Sequence, residues 1–158
     1  MDVAQFRQVF GHFATGVTVI TTAFDGWLHG MTANAVTSLS LDPLLLLVCI
    51  DKTAHAHAQI TKSGKFGVNI LSEDQEDISR LFAEHTAPEQ GKLQGAAYYL
   101  GPNGTPVLEK CLGYIECAVT EQCAGGDHTI FLGQVLHGEM LSETPPLLFF
   151  RGGYRKLV

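Results

Sequence analysis

Apolar residues at the start of the chain recur at helical spacing. Val3, Phe6, Phe10 and Phe13 mark one face, which predicts an amphipathic helix over residues 2–12. The period then shortens. Val17 to Thr22 is rich in β-branched residues and reads as a strand, and Asp25-Gly26 reads as a hairpin turn. Trp27 to Ser40 returns as one or two strands carrying small polar residues, and Leu41-Asp42-Pro43 closes them with a turn. Leu44 to Ile50 is apolar on both faces, the pattern of a buried central strand. Thr53 is placed to cap a short helix through Ile60, and Phe66 to Ile70 is a further strand. Ser72-Glu73-Asp74-Gln75 has the form of a capping box, with Ser at the N-cap and Gln at N3, ahead of a helix whose apolar face holds Ile78, Leu81 and Phe82. Residues 85–106 carry Pro and Gly and read as a surface excursion. Leu112 to Thr120 and Thr129 to Leu136 are strands joined through Ala124-Gly125-Gly126, and Leu147 to Phe150 is a last short strand.

About seven or eight strands and three helices follow from this pattern, without regular strand–helix alternation. That order disfavours a doubly wound parallel sheet. It favours a mainly β domain, an antiparallel barrel with peripheral helices, and one domain over residues 1–158. Hydrophobic residues make up 46% and charged residues 16% of the chain, which excludes a disordered segment. The net charge of −6 argues against nucleic acid, whose partners usually present a basic face. The start has no basic and apolar leader, and the longest apolar run, Leu44 to Ile50, falls far short of the about 20 residues that span a membrane. A cytoplasmic protein with no membrane partner is the expectation. Of the 4 cysteines, none forms a C-x-x-C pair. Cys111, Cys117 and Cys123 are evenly spaced, which places them on one face of a continuous strand as small hydrophobes.

The common catalytic signatures are missing: no G-x-G-x-x-G, no P-loop, no nucleophile elbow. His55 and His57 sit two apart and point different ways on a helix, so they read as ordinary histidines, and no metal site is expected.

Polar residues fall in unexpected places in three stretches. Gly30 to Ser40 is uncharged and full of hydroxyl and amide groups between apolar strands. Such groups need partners when buried. A ligand with a flat apolar body and an imide edge, such as a flavin, would supply them; a strand edge satisfied by its own backbone is the plain alternative. Gly125-Gly126-Asp127-His128-Thr129-Ile130 lets backbone approach closely and puts a histidine at the mouth of an apolar strand, where it can orient a substrate; a solvated Asp-His hairpin tip is the alternative. Lys52-Thr53 sets a cation beside a helix start, a possible phosphate site, or else a plain cap and a surface lysine.

Taken in order, these segments resemble the short-chain flavin reductase family. The resemblance is carried by Phe13-Ala14-Thr15-Gly16-Val17-Thr18-Val19, Gly30-Met31-Thr32-Ala33-Asn34-Ala35, Ser38-Leu39-Ser40-Leu41-Asp42-Pro43, Phe66-Gly67-Val68-Asn69-Ile70-Leu71, Gly126-Asp127-His128-Thr129-Ile130 and Phe150-Arg151-Gly152-Gly153-Tyr154. It runs from about Phe6 to Arg155. It implies an antiparallel Greek-key split β-barrel of the FMN-binding type and a homodimer. It further implies reduction of FMN or FAD by NADH or NADPH and supply of reduced flavin to a flavin-dependent monooxygenase. By the same resemblance Thr32, Ala33, Asn34 and Ala35 line the isoalloxazine edge. Ser38 and Ser40 reach the ribityl and phosphate region with Lys52 and Thr53 nearby, His128 lies beside the nicotinamide, and Tyr154 helps close the site. Leu44 replaces a frequent second proline, Val36 a frequent aromatic, and Lys52 a frequent arginine, losing the planar fork. A flavin-binding electron carrier or redox sensor on the same barrel is the alternative function. An oxidase of pyridoxamine-phosphate type is disfavoured by the count of only 10 Lys+Arg.

Overall fold

A computed structural model describes residues 1–158. The chain opens with helix α1 (Val3–Phe10) and short strand β1 (Thr15–Gly16). Two hairpins follow, β2 (Thr18–Phe24) with β3 (Trp27–Ala33) and β4 (Val36–Leu41) with β5 (Leu44–Asp51). Helix α2 (His55–Ser63), β6 (Lys65–Ile70) and helix α3 (Glu76–Phe82) come next, then three short strands, β7 (Glu89–Gln90), β8 (Tyr98–Leu100) and β9 (Pro106–Leu108). The long hairpin β10 (Gly113–Gly125) and β11 (His128–Met140) is followed by β12 (Leu148–Phe150) and β13 (Gly153–Arg155).

Eight strands form one sheet in the order β4-β5-β11-β10-β6-β2-β3-β7. Every pairing in it is antiparallel. The end strands β4 and β7 do not pair with each other, so the curled sheet is a split barrel and not a closed one. A sheet of β1-β12-β13 and a β8-β9 ribbon complete the mainly β architecture, with three helices on the periphery.

Two of the hairpin turns lie where glycine predicts them. Asp25 (φ 51°) and Gly26 (φ 79°) are both left-handed, as a two-residue I′ turn requires, and Gly126 (φ 69°) leads the Gly126-Asp127 turn between β10 and β11. Helix α1 carries a full capping box that the hydrophobic spacing alone does not announce: Asp2 Oδ1 accepts from Gln5 N at 2.8 Å, and Gln5 Oε1 accepts from Asp2 N at 3.0 Å.

One core gathers Ile20, Val48, Ile50, Ile60, Phe66 and Phe131, where α2 packs on the sheet. A second gathers Val19, Leu28, Leu71, Phe82, Leu108 and Leu147 under α3. Gly133 makes the first core possible, since a Cβ there would meet Phe66 Cζ at 2.6 Å and Cys117 Cβ at 2.7 Å. Buried Asn69 ties strands together: its Nδ2 donates to Val19 O and Thr21 Oγ1, and its Oδ1 accepts from Leu108 N.

Several expectations need correction. Strand β5 is not buried on both faces. Leu46, Val48 and Ile50 are buried while Leu45, Leu47 and Cys49 are partly exposed, because β5 lies next to the end strand and nothing covers its second face. Thr53 does not cap α2; the N-cap is Ala54, without a side-chain bond, because Thr53 N and Oγ1 both donate to Asp51 Oδ1 at 2.7 Å. Ser72 does not cap α3, whose N-cap is Gln75. Only the reciprocal half of that box forms, one turn early, with Gln75 Oε1 accepting from Ser72 N. The cysteines do not share a face. Cys111 precedes β10 and belongs to a separate small cluster, and the bulge between Val119 and Glu121 reverses side-chain parity between Cys117 and Cys123. Residues 85–106 are not a purely surface excursion either, since Leu93 and Thr105 are buried.

Candidate active site

A cleft of about 340 Å³ opens beside the break between β3 and β4. One wall is β3 from His29 through Ala33, continuing into Asn34 and Ala35. The end of β5 and the start of α2 supply Cys49, Asp51, Ala54 and His55; the end of α3 and the segment after it supply Phe82 to Thr86; His128 stands at the mouth. A second hollow of about 210 Å³ shares Thr32, Ala33 and Asn34 and is closed by Ser79, Phe149 and Tyr154.

Strand pairing lapses at Asn34 and Ala35, between β3 and β4. Ala35 O accepts from Cys49 N at 3.0 Å, but neither the Asn34 nor the Ala35 N–H donates to any protein acceptor. Two backbone donors therefore remain available on the cleft wall, a disposition that suits developing negative charge on a ligand edge. Hydrogen bonds between distant elements hold this wall. Thr18 Oγ1 donates to Ala33 O at 2.6 Å, and Thr32 Oγ1 donates to Ser79 O at 2.7 Å. Ser79 Oγ in turn meets Tyr154 Oη at 2.8 Å, while the Arg80 guanidinium lies 4.9 Å from the Tyr154 ring centroid. Gly30 lets Phe82 lie flat against β3, since a Cβ at position 30 would sit 2.5 Å from the Phe82 ring.

The hairpin tip reaches the mouth through strand register: His128 pairs with Asp51 across β11 and β5. His128 Nδ1 hydrogen-bonds Asp127 Oδ1 at 2.8 Å, and this bond, with the charge of His128, holds the exposed Asp127 carboxyl below its usual range. The Asp51 carboxyl is also lowered, first by the Thr53 hydroxyl and then by the Thr53 N–H. Lys52 Nζ donates to Gly126 O at 2.6 Å and Lys52 N donates to Asp127 O at 3.0 Å. No lysine or arginine lines the cleft; its ionisable groups are Asp51, Glu84, Cys49 and four histidines.

The structure thus brings Thr32, Ala33, Asn34, Ala35 and His128 to one cleft and sets Tyr154 behind it. Lys52 and Thr53 flank the cleft with their polar groups turned to the hairpin tip and to Asp51. Ser38 and Ser40 stand on the outer strand β4, and the bulge between them pairs Ser38 with Leu46 and Ser40 with Leu45, so the two hydroxyls face opposite sides of the sheet. The cleft also holds His29, Glu84 and His85, which the sequence did not single out, and His55, which was read there as an ordinary histidine. The available signal was His29 itself, a histidine leading directly into the small-polar run. His57 plays a different part: its Nε2 bonds Thr129 Oγ1 at 2.8 Å and its ring packs on Phe131.

Residues 10–158 match the profile of the flavin reductase like domain. The chain belongs to that family. It is 39% identical to the reductase component of a 4-nitrophenol 4-monooxygenase/4-nitrocatechol 2-monooxygenase of Rhodococcus opacus, across all of this chain and 83% of the relative. Among solved structures it superposes on flavin reductase PheA2 with a TM-score of 0.90 at 42% identity, covering 100% of this chain and 99% of that one. It also superposes on the NADH:FAD oxidoreductase SgcE6 of Streptomyces globisporus, solved with NAD and FAD fragments, with a TM-score of 0.91 at 38% identity over 99% and 93% of the two chains.

Proposed function

We propose that this flavin reductase-like chain uses NADH to reduce a flavin, FAD foremost, and releases it to a separate monooxygenase. The observation that carries the reading is the pair of unengaged N–H groups at Asn34 and Ala35, set in an uncharged wall and faced by His128. A flavin accepts a hydride from the nicotinamide when both are bound, and its reduced pyrimidine edge gains negative charge. The Asn34 and Ala35 donors stabilise that edge without having to reorganise. Thr32, with its hydroxyl committed to Ser79, and Tyr154 behind it keep the wall rigid. His128, steadied by Asp127, positions the nicotinamide portion at the mouth, so the protein's main contribution is alignment. The absence of lysine and arginine from the cleft leaves no ready partner for an added ribose phosphate, which favours NADH over NADPH. FMN and NADPH are the alternatives that substrate comparison decides.

The test is NADH oxidation with FAD or FMN as the varied substrate. No flavin-dependent loss of reduced-nicotinamide absorbance would reduce the chain to a flavin-binding carrier or sensor. His128→Ala is expected to raise the KM for NADH several-fold with little change for flavin, the pattern of lost ground-state positioning; unchanged kinetics removes His128 from the site.

A homodimer belongs to the same proposal. The apolar side of α1 finds no partner within the chain: no α1 residue is buried, Phe6 is 55% and Phe10 58% exposed, and their rings stack at 5.7 Å. Beneath lies a groove of about 530 Å³ lined by Phe10, Phe13, Val36 and Ile115 and continuous with Asn34 and Ala35. Exposed apolar area of this kind marks an interface, and a second copy laid there would cover the back of the flavin wall. A monomer by light scattering at micromolar concentration contradicts this. A cytoplasmic setting accords with four free cysteines, two of them buried. No helix is long and apolar enough to cross a membrane.

A further inference from the structure

His29 is 4% exposed, on β3, at the inner end of the cleft wall. Its ring makes no hydrogen bond with the protein. Nδ1 is fully enclosed and has no partner. Nε2, the ring's other nitrogen, is not enclosed in this way, and His29 lines the cleft. Two neighbours that the fold sets against the ring offer it no bond. Thr22, opposite His29 in register, donates its hydroxyl to Lys65 O and meets Ser63 Oγ at 2.8 Å, and the His55 ring stands edge-on with centroids 6.0 Å apart.

Burial, and then the nearness of His55, push the His29 pKa down to about 4, so near neutral pH the ring carries a single N–H. A proton on Nδ1 would enclose a donor with no acceptor. A proton on Nε2 encloses only a bare lone pair and presents the N–H to the cleft, which is the less costly tautomer on hydrogen-bonding grounds. A neutral donor has a further property here. Asp51 and Glu84 line the same cleft, and a cation at this position would be drawn to them, whereas a neutral N–H acts by direction alone.

We propose that His29 is a ligand-positioning residue whose Nε2–H donates to an amide-type carbonyl oxygen of a ring bound in the cleft. Both partners of the proposed reaction offer that chemistry, the flavin in its pyrimidine carbonyls and the pyridine nucleotide in its carboxamide. The inference rests on the reductase reading for the identity of the ring. It also explains why a polar side chain is tolerated in a place where the ligand-free protein gives it nothing to bond: the partner arrives with the ligand.

The experiment compares His29→Phe, which keeps a planar ring and removes both nitrogens, with His29→Gln, whose amide N–H reaches about as far as Nε2. FAD and NAD are titrated separately against each protein, and thermal unfolding is followed without ligand. The expected result is a weakening of about 5–10-fold for His29→Phe toward one ligand, the order of one neutral hydrogen bond. Its ligand-free Tm is expected to be no lower than that of the wild type, since an unsatisfied buried nitrogen has gone. His29→Gln is expected to bind within about twofold of wild type, because the donor is restored. Which ligand weakens identifies the source of the carbonyl. Unchanged affinity of His29→Phe for both ligands overturns the proposal. So does a lowered ligand-free Tm with binding that His29→Gln does not rescue, which marks a purely structural residue. If His29→Phe does not fold, His29→Leu makes the same comparison. Wild-type turnover is measured alongside: loss of the reductase reading shows as no NADH oxidation, while the titrations still decide His29.

Discussion

Gly30→Ala is the substitution whose effect follows most directly from the geometry. A Cβ at position 30 would lie 2.5 Å from Phe82 Cε1, 2.6 Å from Cδ1 and 3.3 Å from Val19 Cγ1. Carbon atoms pack best at about 3.5–4.0 Å, so the ring has to retreat by about 1 Å. It has little room, since Phe82 is 1% exposed and packs among Val19, Leu28 and Leu71. Overpacking of this kind costs about 1–3 kcal/mol. At about 2–4 °C per kcal/mol for a domain of this size, Tm is expected to fall by about 2–12 °C. The displacement is also expected to reach the ligand. Phe82 lines the cleft, and the same stretch of β3 is tied to the rim through Gln94, whose Oε1 accepts from Gly30 N and whose Nε2 donates to Thr86 Oγ1. Thermal unfolding and FAD titration read the two effects. A Gly30→Ala protein with wild-type Tm and FAD affinity refutes the close approach of β3 and Phe82.

Two further substitutions test charge. Glu116 is fully buried and unpaired by any cation; its carboxylate accepts from Asn103 N and Nδ2 and from Thr105 N and Oγ1. Burial alone would raise its pKa, but the hydrogen bonds from Asn103 and Thr105 outweigh that and hold it below the ordinary value of 4.5. A depressed folded pKa contributes stability that is present above the unfolded value and lost as pH falls through the folded one. Glu116→Gln turns one acceptor into a donor facing donors and is expected to cost about 2–4 kcal/mol near neutral pH, a gap that narrows in acid below the ordinary glutamate value; a gap independent of pH in urea unfolding contradicts the cage. Lys52→Met removes the clamp on Gly126 and is expected to raise the KM for NADH about 2–5-fold while leaving flavin within about twofold, on the scale of one exposed hydrogen bond. If Lys52 instead serves a flavin phosphate, the flavin KM rises and its salt dependence flattens.

What the sequence made legible was local. Asp25-Gly26 is a turn as read, and the second hairpin, read as joining through Ala124-Gly125-Gly126, turns at Gly126-Asp127, because glycine enters the left-handed region cheaply. The helical spacing of Val3, Phe6 and Phe10 does form α1, but spacing cannot tell which partner an apolar face will have, and here the chain supplies none. The misread features all depend on competition or parity. Thr53 has the side chain of a cap, but Asp51, two residues away, takes both its donors. The even spacing of Cys117 and Cys123 holds only for an unbroken strand, and one extra residue near Thr120 inverts it. The alternation of β5 was hidden because Leu45 and Leu47 are as apolar as Leu46, so only the position of the strand in the sheet reveals which face is open.

The cleft follows the same rule on a larger scale, and this is why its residues were half found. Thr32 to Ala35 stand out in sequence because small polar groups gather there. Their working feature, two N–H groups with no acceptor, arises because pairing lapses between β3 and β4, and no residue type encodes that. The wall is then fixed by bonds from Thr32 to Ser79, from Gly30 to Gln94 and from Lys52 to Gly126, each joining segments far apart in the chain. His29, His55 and His85 enter the cleft through three different elements, β3, α2 and the segment after α3, so no spacing in the sequence links them. With no lysine or arginine on its walls, the donors that the cleft offers a ligand are chiefly backbone N–H groups and imidazoles. Such recognition reads carbonyl edges of flat rings better than it grips phosphates, and it places the discrimination between ligands on the direction of a few N–H groups, His29 Nε2 among them.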